Sequence, residues 1–184
     1  VEQSSDDPFE NFNFISFDSE NATGLNDLKS ALRAAKDDEN IKGVYLDFGM
    51  MNAGLSTLKE LRDAILAFKT SGKFVWSYAD IYTQKDYYLS SVADSIYLSP
   101  VGVLDVKGLA AEVLYYKGFQ QKTGLKMEVI RHGKYKSAVE PYLEDQMSEA
   151  NRSQLSTLLH QLWRTIAQEM SQGRGVTLEK VNDW

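Results

Sequence analysis

Cysteine is missing from all 184 residues, which excludes disulfides and thiolate metal sites and leaves the redox compartment open. Histidine occurs only 2 times. His132 and His160 stand in unrelated contexts, with no H-x-x-x-H pair and no His/carboxylate cluster, so no zinc site is expected. Gly102 and Gly108 belong to no G-x-x-x-x-G-K-[ST] phosphate loop, and no cofactor of any kind is expected. No apolar run reaches the roughly 18 residues of a membrane-crossing helix, and no signal peptide is expected within these residues. Clustered basic charge is lacking too: the formal net charge is −6, which argues against a nucleic-acid partner.

What is present is the composition of an ordinary globular protein, 43% hydrophobic and 25% charged. That length suggests one domain able to bury a core without disulfides. Residues 1–11 are acidic and polar and read as a flexible lead-in, with residues 12–184 forming the domain.

Periodicity orders the rest. Phe12–Phe17 reads as a short strand. Asn26–Lys36 places Leu28, Ala31, Leu32 and Ala35 at helical spacing, with Asn26 or Thr23 as possible caps. Ile41–Phe48 is strand-like, and Leu55–Thr70 is an amphipathic helix facing Leu58, Leu61, Ile65 and Phe68 inward. Lys73–Tyr78 follows as a strand, Ala79–Thr83 as a loop and Gln84–Ala93 as a helix. Asp94–Leu98 is a further strand, ended by Ser99-Pro100, and Val101–Gly108 is a short strand or loop. Leu114–Gln121 reads as a helix stopping at Gly124, and Lys126–Ile130 as a strand. Ser148–Ser171 is the longest helix, with Ser148 as cap, an apolar stripe from Leu155 to Met170, and Gly173-Arg-Gly175 as terminator. Thr177–Trp184 starts another. The recurring strand–helix–strand order predicts an α/β fold with right-handed crossovers and a mostly parallel sheet.

One stretch carries chemistry: Arg131-His-Gly-Lys-Tyr-Lys-Ser-Ala-Val-Glu-Pro-Tyr142. Gly133 permits a turn and Pro141 discourages helix just before it, so the stretch is expected to be a loop. Lys134 and Lys136 sit among Tyr135, Ala138 and Val139. Apolar surroundings penalise an ammonium and can leave a lysine neutral near pH 7, able to act as a base. Two lysines solvated at the surface are the plain alternative. Ser137 is a candidate hydrogen-bond partner for Lys136, and Glu140 a candidate ion-pair partner for Arg131.

The string Gly133-Lys-Tyr-Lys-Ser-Ala-Val-Glu-Pro141 resembles the base-lysine segment of the signal peptide peptidase A (protease IV) family, peptidase family S49. The resemblance extends upstream through Tyr87-Tyr88-Leu89, Ala93-Asp-Ser-Ile-Tyr-Leu-Ser-Pro100, Gly102-Val103, Gly108 and Leu114-Tyr-Tyr-Lys117, and downstream to Met147-Ser148. It implies a Clp-protease/crotonase-like fold of repeated β-β-α/β-α units and a serine–lysine dyad in which Lys136 is the general base. Half-length members carry Ala-Ser-Gly-Gly-Tyr-Tyr, the serine being the nucleophile. Here Thr83-Gln84-Lys85-Asp86 precedes Tyr87-Tyr88, so Gln84 stands in the serine's slot and no nucleophile is present there. Asn52-Ala53-Gly54 is likewise a remnant of the family's glycine-rich oxyanion turn.

Double-length members split the dyad, lysine in the amino-terminal domain and serine in a similar carboxy-terminal one. The resemblance therefore implies the lysine-bearing half of a longer chain, inactive alone, with its own carboxy-terminal domain as partner. It also implies apolar, extended substrates such as cleaved signal peptides, and homo-oligomeric rings. The place implied is the periplasmic side of the cell inner membrane, through an anchor outside these residues. Two other readings fit the fold class. A crotonase-type acyl-CoA enzyme would bind CoA thioesters; a non-catalytic scaffold or oligomerisation domain would leave Lys136 without a role.

Overall fold

Leucine, isoleucine and phenylalanine spaced three and four apart create one apolar stripe per helix, and α2 (Leu55–Lys69) buries the expected four, Leu58, Leu61, Ile65 and Phe68, together with Arg62. The computed structural model describes residues 24–48, 51, 53–125, 127–128 and 137–184. It divides into two units, Val1–Lys107 with Ala167–Trp184, and Gly108–Ile166. The expected lead-in over residues 1–11, the strand Phe12–Phe17 and Thr23 lie outside the described residues.

In the first unit α1 (Leu25–Asp37) starts after Gly24 without a side-chain cap, so Asn26 lies inside the helix and is not its cap. Strands β1 (Gly43–Asp47), β2 (Phe74–Thr83) and β3 (Ser95–Asp105) form a sheet in the order β1-β2-β3, and both pairings are parallel. Parallel neighbours cannot be joined by a hairpin; α2 bridges β1 to β2, and α3 (Gln84–Ser90) bridges β2 to β3. The mixed α/β architecture with a small parallel sheet follows the sequence pattern.

Alternation along β2 puts Val75, Ser77 and Ala79 in the interior, while Phe74 and Trp76 remain partly exposed. The exposed face is aromatic: Tyr45 pairs with Trp76 in register, and the Trp76 ring lies 4.6 Å from Phe74 and 6.3 Å from Tyr97. On the α1 side of β1, an apolar groove of about 520 Å³ is lined by Leu28, Leu32, Val44, Leu46 and Ile65, among others.

The expected loop Ala79–Thr83 is strand instead. A register shift between Ala79 and Ile81 moves the pairing from Leu98 to Val103, and Ile81, Tyr82 and Thr83 then pair with Val103, Leu104 and Asp105. Such a bulge restores the ladder after interrupting it. β3 accordingly runs through Ser99-Pro100, where its end was expected. Among the described residues β3 is an outer strand, which tolerates the missing proline N–H. Gly102 is required by the same crossing, since a Cβ there would lie 2.4 Å from the Asp80 carbonyl oxygen.

α3 is shorter than expected; Ser91, Val92 and Ala93 form a buried turn behind it. Asp94 then closes the β2–β3 connection, its Oδ2 accepting from Val75 N at 2.8 Å and its Oδ1 lying 2.7 Å from Lys69 Nζ. α6 (Glu149–Arg174) is one continuous helix whose residues from Ala167 onward belong to the first unit. Ile166, Ala167 and Met170 are buried, whereas Leu158 and Leu162 of the expected stripe are exposed. The helix passes through Gly173, expected as part of its terminator; Gly175, with φ 62°, follows its end. Gly173 serves packing, as a Cβ would stand 2.3 Å from Ser91 O. Thr177 caps α7 (Leu178–Asn182), and Trp184 meets Tyr87 edge-on with ring centres 5.6 Å apart.

The second unit contains α4 (Lys117–Thr123), a 3-10 turn (Ser137–Val139), α5 (Glu140–Leu143) and the first part of α6. α4 starts three residues later than Leu114 and stops at Gly124, φ 72°, as its glycine predicts. The expected strand Lys126–Ile130 is not seen where it is described, at Met127 and Glu128; Lys126, Val129 and Ile130 lie outside the described residues. The described end of the lysine stretch is helical and not a loop. Pro141 occupies the first turn of α5, where its absent N–H costs no helical bond.

Candidate functional site

Two places bear on the chemistry, one in each unit. The first is the start of α3, where the resemblance puts a nucleophile. Thr83 precedes α3 with an extended backbone, and a capping box closes on it. Asp86 Oδ2 accepts from Thr83 N at 3.0 Å and from Thr83 Oγ1 at 2.6 Å, while Thr83 Oγ1 accepts from Asp86 N at 3.4 Å. The box fixes the first turn and with it Gln84, whose Oε1 accepts from Lys107 N at 3.1 Å. An amide engaged in this way neither attacks a carbonyl nor carries a proton. Lys85 Nζ donates to Ala53 O at 2.7 Å, so the turn before α2 is tied to α3 by a side-chain hydrogen bond. Asp86 is 1% exposed, and its second oxygen, Oδ1, has no hydrogen-bond partner.

Buried serines lie close by, and their neighbours account for them. Ser77 Oγ is 2.6 Å from Tyr82 Oη and donates to Ser90 Oγ at 2.9 Å; Ser90 Oγ donates to Asp86 O at 2.8 Å. Ser91 Oγ donates to Tyr88 O at 2.8 Å and accepts from Arg62 Nη1 at 2.7 Å. This network is structural. Burial raises the Tyr82 hydroxyl above its ordinary pKa, with the hydrogen bonds to Ser77 and Ser90 acting the other way, so it stays a neutral phenol. Tyr87 and Tyr88 are buried, whereas Tyr116 is exposed.

The second place is the described flank of the lysine stretch. Lys136, the expected base, lies outside the described residues, as do Lys134, Arg131 and His132; so does the side chain of Ser137. The residues on the carboxy-terminal side are tightly held. Glu140 accepts from Ser148 Oγ at 2.6 Å, Asn151 Nδ2 at 2.9 Å and Ser148 N at 3.3 Å. Ser148 Oγ in turn accepts from Asn151 N at 3.2 Å, so Ser148 caps α6 as expected. On the other side, Pro141 O accepts from Tyr116 N at 2.7 Å, and Tyr142 O from Gln120 Nε2 at 2.8 Å. The rings of Tyr116 and Tyr142 stack with centres 5.5 Å apart. Tyr115 Oη is buried with no hydrogen-bond partner; burial and then the charge of Glu140 raise its pKa, and Arg152 opposes them.

His160 is accounted for locally, with Nδ1 2.7 Å from Ser156 O one turn back on α6. No helix among the described residues is long and apolar enough to cross a membrane. The capping box is visible in the sequence as Thr83-x-x-Asp86, although there it reads only as a lost serine motif. Glu140 reaching Ser148 across eight residues has no periodic signature.

A parallel α/β sheet with a helix start capped by the Thr83–Asp86 box is the class of structure present. The chain belongs to peptidase family S49, the signal peptide peptidase A or protease IV family, whose pattern it matches over residues 67–184. It is 38% identical to "Protease 4" of Haemophilus influenzae over 156 residues, covering 84% of this chain and 25% of that protein. It is also 38% identical to "Protease 4" of Salmonella typhi over 158 residues, 85% of this chain and 26% of that one. "Serine protease SPPA, chloroplastic" of Arabidopsis thaliana is 33% identical over 147 residues, 80% and 22% of the two chains. The chain thus spans about a quarter of the length of the curated relatives it matches.

Proposed function

We propose that this chain is the lysine-bearing, amino-terminal part of a serine–lysine endopeptidase with a Clp-protease/crotonase-like fold. Lys136 is its general base, and the serine is supplied by a carboxy-terminal domain of the same protein. In the reaction, the neutral Lys136 amine takes the proton of the serine hydroxyl as that oxygen bonds to the scissile carbonyl carbon. It then delivers the proton to the departing amine, and water repeats the cycle on the acyl-enzyme. The substrates are apolar, extended peptides such as cleaved signal peptides, met on the periplasmic side of the inner membrane by an oligomer of the enzyme.

The single observation that carries this reading is the state of α3. A family member whose serine slot holds Gln84, engaged by the Lys107 N–H, keeps its base only if the hydroxyl comes from elsewhere. The test compares peptide hydrolysis by the complete enzyme, its Lys136→Ala variant and the 184-residue chain alone. The expected result is activity in the first only, with the variant down by roughly 10³-fold or more, as when a dyad member is removed. Hydrolysis by the chain alone, or a normal rate in the variant, overturns the reading and favours a scaffold.

A further inference from the structure

We propose that the open face of the β1-β2-β3 sheet binds the lysine- or arginine-bearing end of an apolar leader peptide. The groups that hold it are the rings of Tyr45, Trp76 and Tyr97 and the carboxylates of Asp47 and Asp80. This rests on the peptidase reading, and it adds a place on this chain for the charged part of the substrate.

A parallel sheet is ordinarily covered on both faces. Here Val75, Ser77 and Ala79 of β2 point to the buried side, and the alternate residues stay open. Tyr45, Trp76 and Tyr97 are 56%, 41% and 50% exposed. Register sets Tyr45 beside Trp76, and pairs Tyr78 with Asp47 on β1 and with Tyr97 on β3. The Trp76 ring has Phe74 at 4.6 Å and Tyr97 at 6.3 Å, so the rings form one continuous surface. An exposed apolar surface of this kind marks an interaction site.

The charge on the face selects the partner. Asp47 ends β1, and Asp80 accepts from the Tyr78 hydroxyl at 2.7 Å. Neither carboxylate takes part in an ion pair among the described residues. The lysines that precede β1 and β2 are committed elsewhere. Lys42 Nζ donates to Glu39 O, and Lys73 Nζ to the carbonyls of Ala35, Lys36 and Asp38 at the end of α1. The face is therefore aromatic and acidic. It repels an anionic lipid surface or a nucleic acid, and it attracts ammonium and guanidinium groups, which both ring faces and carboxylates hold. A leader peptide carries that chemistry at one end, with basic residues ahead of about 7–15 apolar ones. A basic group over the rings pairs with Asp47 or Asp80, and the apolar residues that follow rest on the aromatic surface.

The experiment uses the complete enzyme and two fluorescein-labelled peptides. They share an apolar run of about 12 residues and differ only in a Lys-Lys-Lys or a Gln-Gln-Gln start. Anisotropy on the Lys136→Ala enzyme, which leaves the peptide intact, should show the lysine peptide bound roughly 5–20-fold more tightly. That advantage should shrink as salt rises from about 0.05 to 0.5 M. Adding Asp47→Asn/Asp80→Asn should cut it to about twofold or less. Trp76→Leu, which keeps an apolar side chain, should lose roughly 2–5-fold of it. With Lys136 intact, the Asp47→Asn/Asp80→Asn enzyme should show the ratio of the two KM values moving toward one. Equal affinity for the two peptides, or an advantage that survives the double variant, overturns the proposal. So does an equal loss with both peptides, or a changed sedimentation of the double variant, which would make the face a subunit interface. Full activity in Lys136→Ala would instead refute the base assignment, and the KM ratio would still read the face.

Discussion

Arg62 on α2 is 2% exposed and meets Glu169 of α6 twice, donating from Nη2 to its carbonyl oxygen at 2.6 Å and lying 3.5 Å through Nε from its carboxylate. The same guanidinium donates to Tyr88 O and Ser91 Oγ and lies over the Tyr88 ring at 4.9 Å. Tyr88 Oη completes the circuit by donating to the Glu169 carboxylate. Burial lowers the Arg62 pKa, opposed by the charges of Tyr88 and Glu169, while burial and the Glu169 hydrogen bond push the Tyr88 hydroxyl well above the ordinary tyrosine range. Three elements of the first unit meet on one buried cation.

Replacing Arg62 by leucine removes one donor each from the Tyr88 carbonyl, the Glu169 carbonyl and Ser91 Oγ, and one of the cations beside the Glu169 carboxylate, which keeps Lys59 and Tyr88 Oη. The expected loss is about 1–3 kcal/mol, the cost of removing a buried hydrogen-bond donor, since Glu169 keeps these other partners. Urea unfolding should show the midpoint falling with little change in slope. A loss below about 1 kcal/mol would mean that the cluster contributes little beyond packing.

Gly173 and Gly118 make a matched pair of opposite sign. Both lie in helices, and helix propensity alone favours Ala over Gly by up to about 1 kcal/mol. Around Gly118 nothing lies within 4 Å of a new Cβ, so Gly118→Ala should stabilise the protein by a few tenths of a kcal/mol to about 1 kcal/mol. At Gly173 a Cβ would fall 2.3 Å from Ser91 O and 3.0 Å from Arg62 Nη2. The backbone oxygen cannot yield cheaply, so Gly173→Ala should destabilise by about 1–3 kcal/mol. Thermal unfolding of the two variants decides it, and a stabilised Gly173→Ala would show that α6 can shift away from Ser91.

Asp94 supplies a pH test. Burial raises its pKa, but Lys69 and the Val75 N–H together outweigh that and leave it below the usual aspartate value. A carboxyl depressed on folding adds stability above its unfolded pKa of about 3.9 and loses it as pH falls through the lower folded value. Asp94→Asn should therefore unfold more easily at neutral pH, with the difference closing below about pH 3.9. A gap that stays constant into acid would assign the effect to the lost side-chain geometry, not to charge.

Much of the fold is legible because burial writes a period into the sequence. Leu58, Leu61, Ile65 and Phe68 are identified by spacing and are buried; Gly124 and Ser148 are identified by what helix ends require. What escapes depends on partners far along the chain. Ile81 to Thr83 read as loop because the register shift that pairs them with Val103 to Asp105 has no local signal. Gly173 reads as a terminator because its neighbour, Ser91, is 82 residues away. Pro141 reads as a helix breaker because a helix start after a 3-10 turn is a matter of position, not of residue type. At the candidate site, Gln84 is found by comparison with a motif, whereas the Lys85–Ala53 tie and the Glu140–Ser148 hydrogen bond need coordinates.

Restoring a hydroxyl at position 84 should not restore chemistry. Gln84→Ser puts a serine at the first residue of α3, immediately after the Thr83–Asp86 box begins. A serine there needs a base and a pair of oxyanion donors. Lys85, the adjacent cation, is spent on Ala53 O and as an ammonium has no lone pair to take a proton. The 184-residue chain carrying Gln84→Ser should therefore remain inactive toward peptides and unreactive toward a serine-directed fluorophosphonate probe. Labelling of this variant above the level of the unmodified chain, with the added mass found on the peptide containing position 84 and lost again in Gln84→Ser/Lys136→Ala, would show that Lys136 can still activate a hydroxyl in this slot.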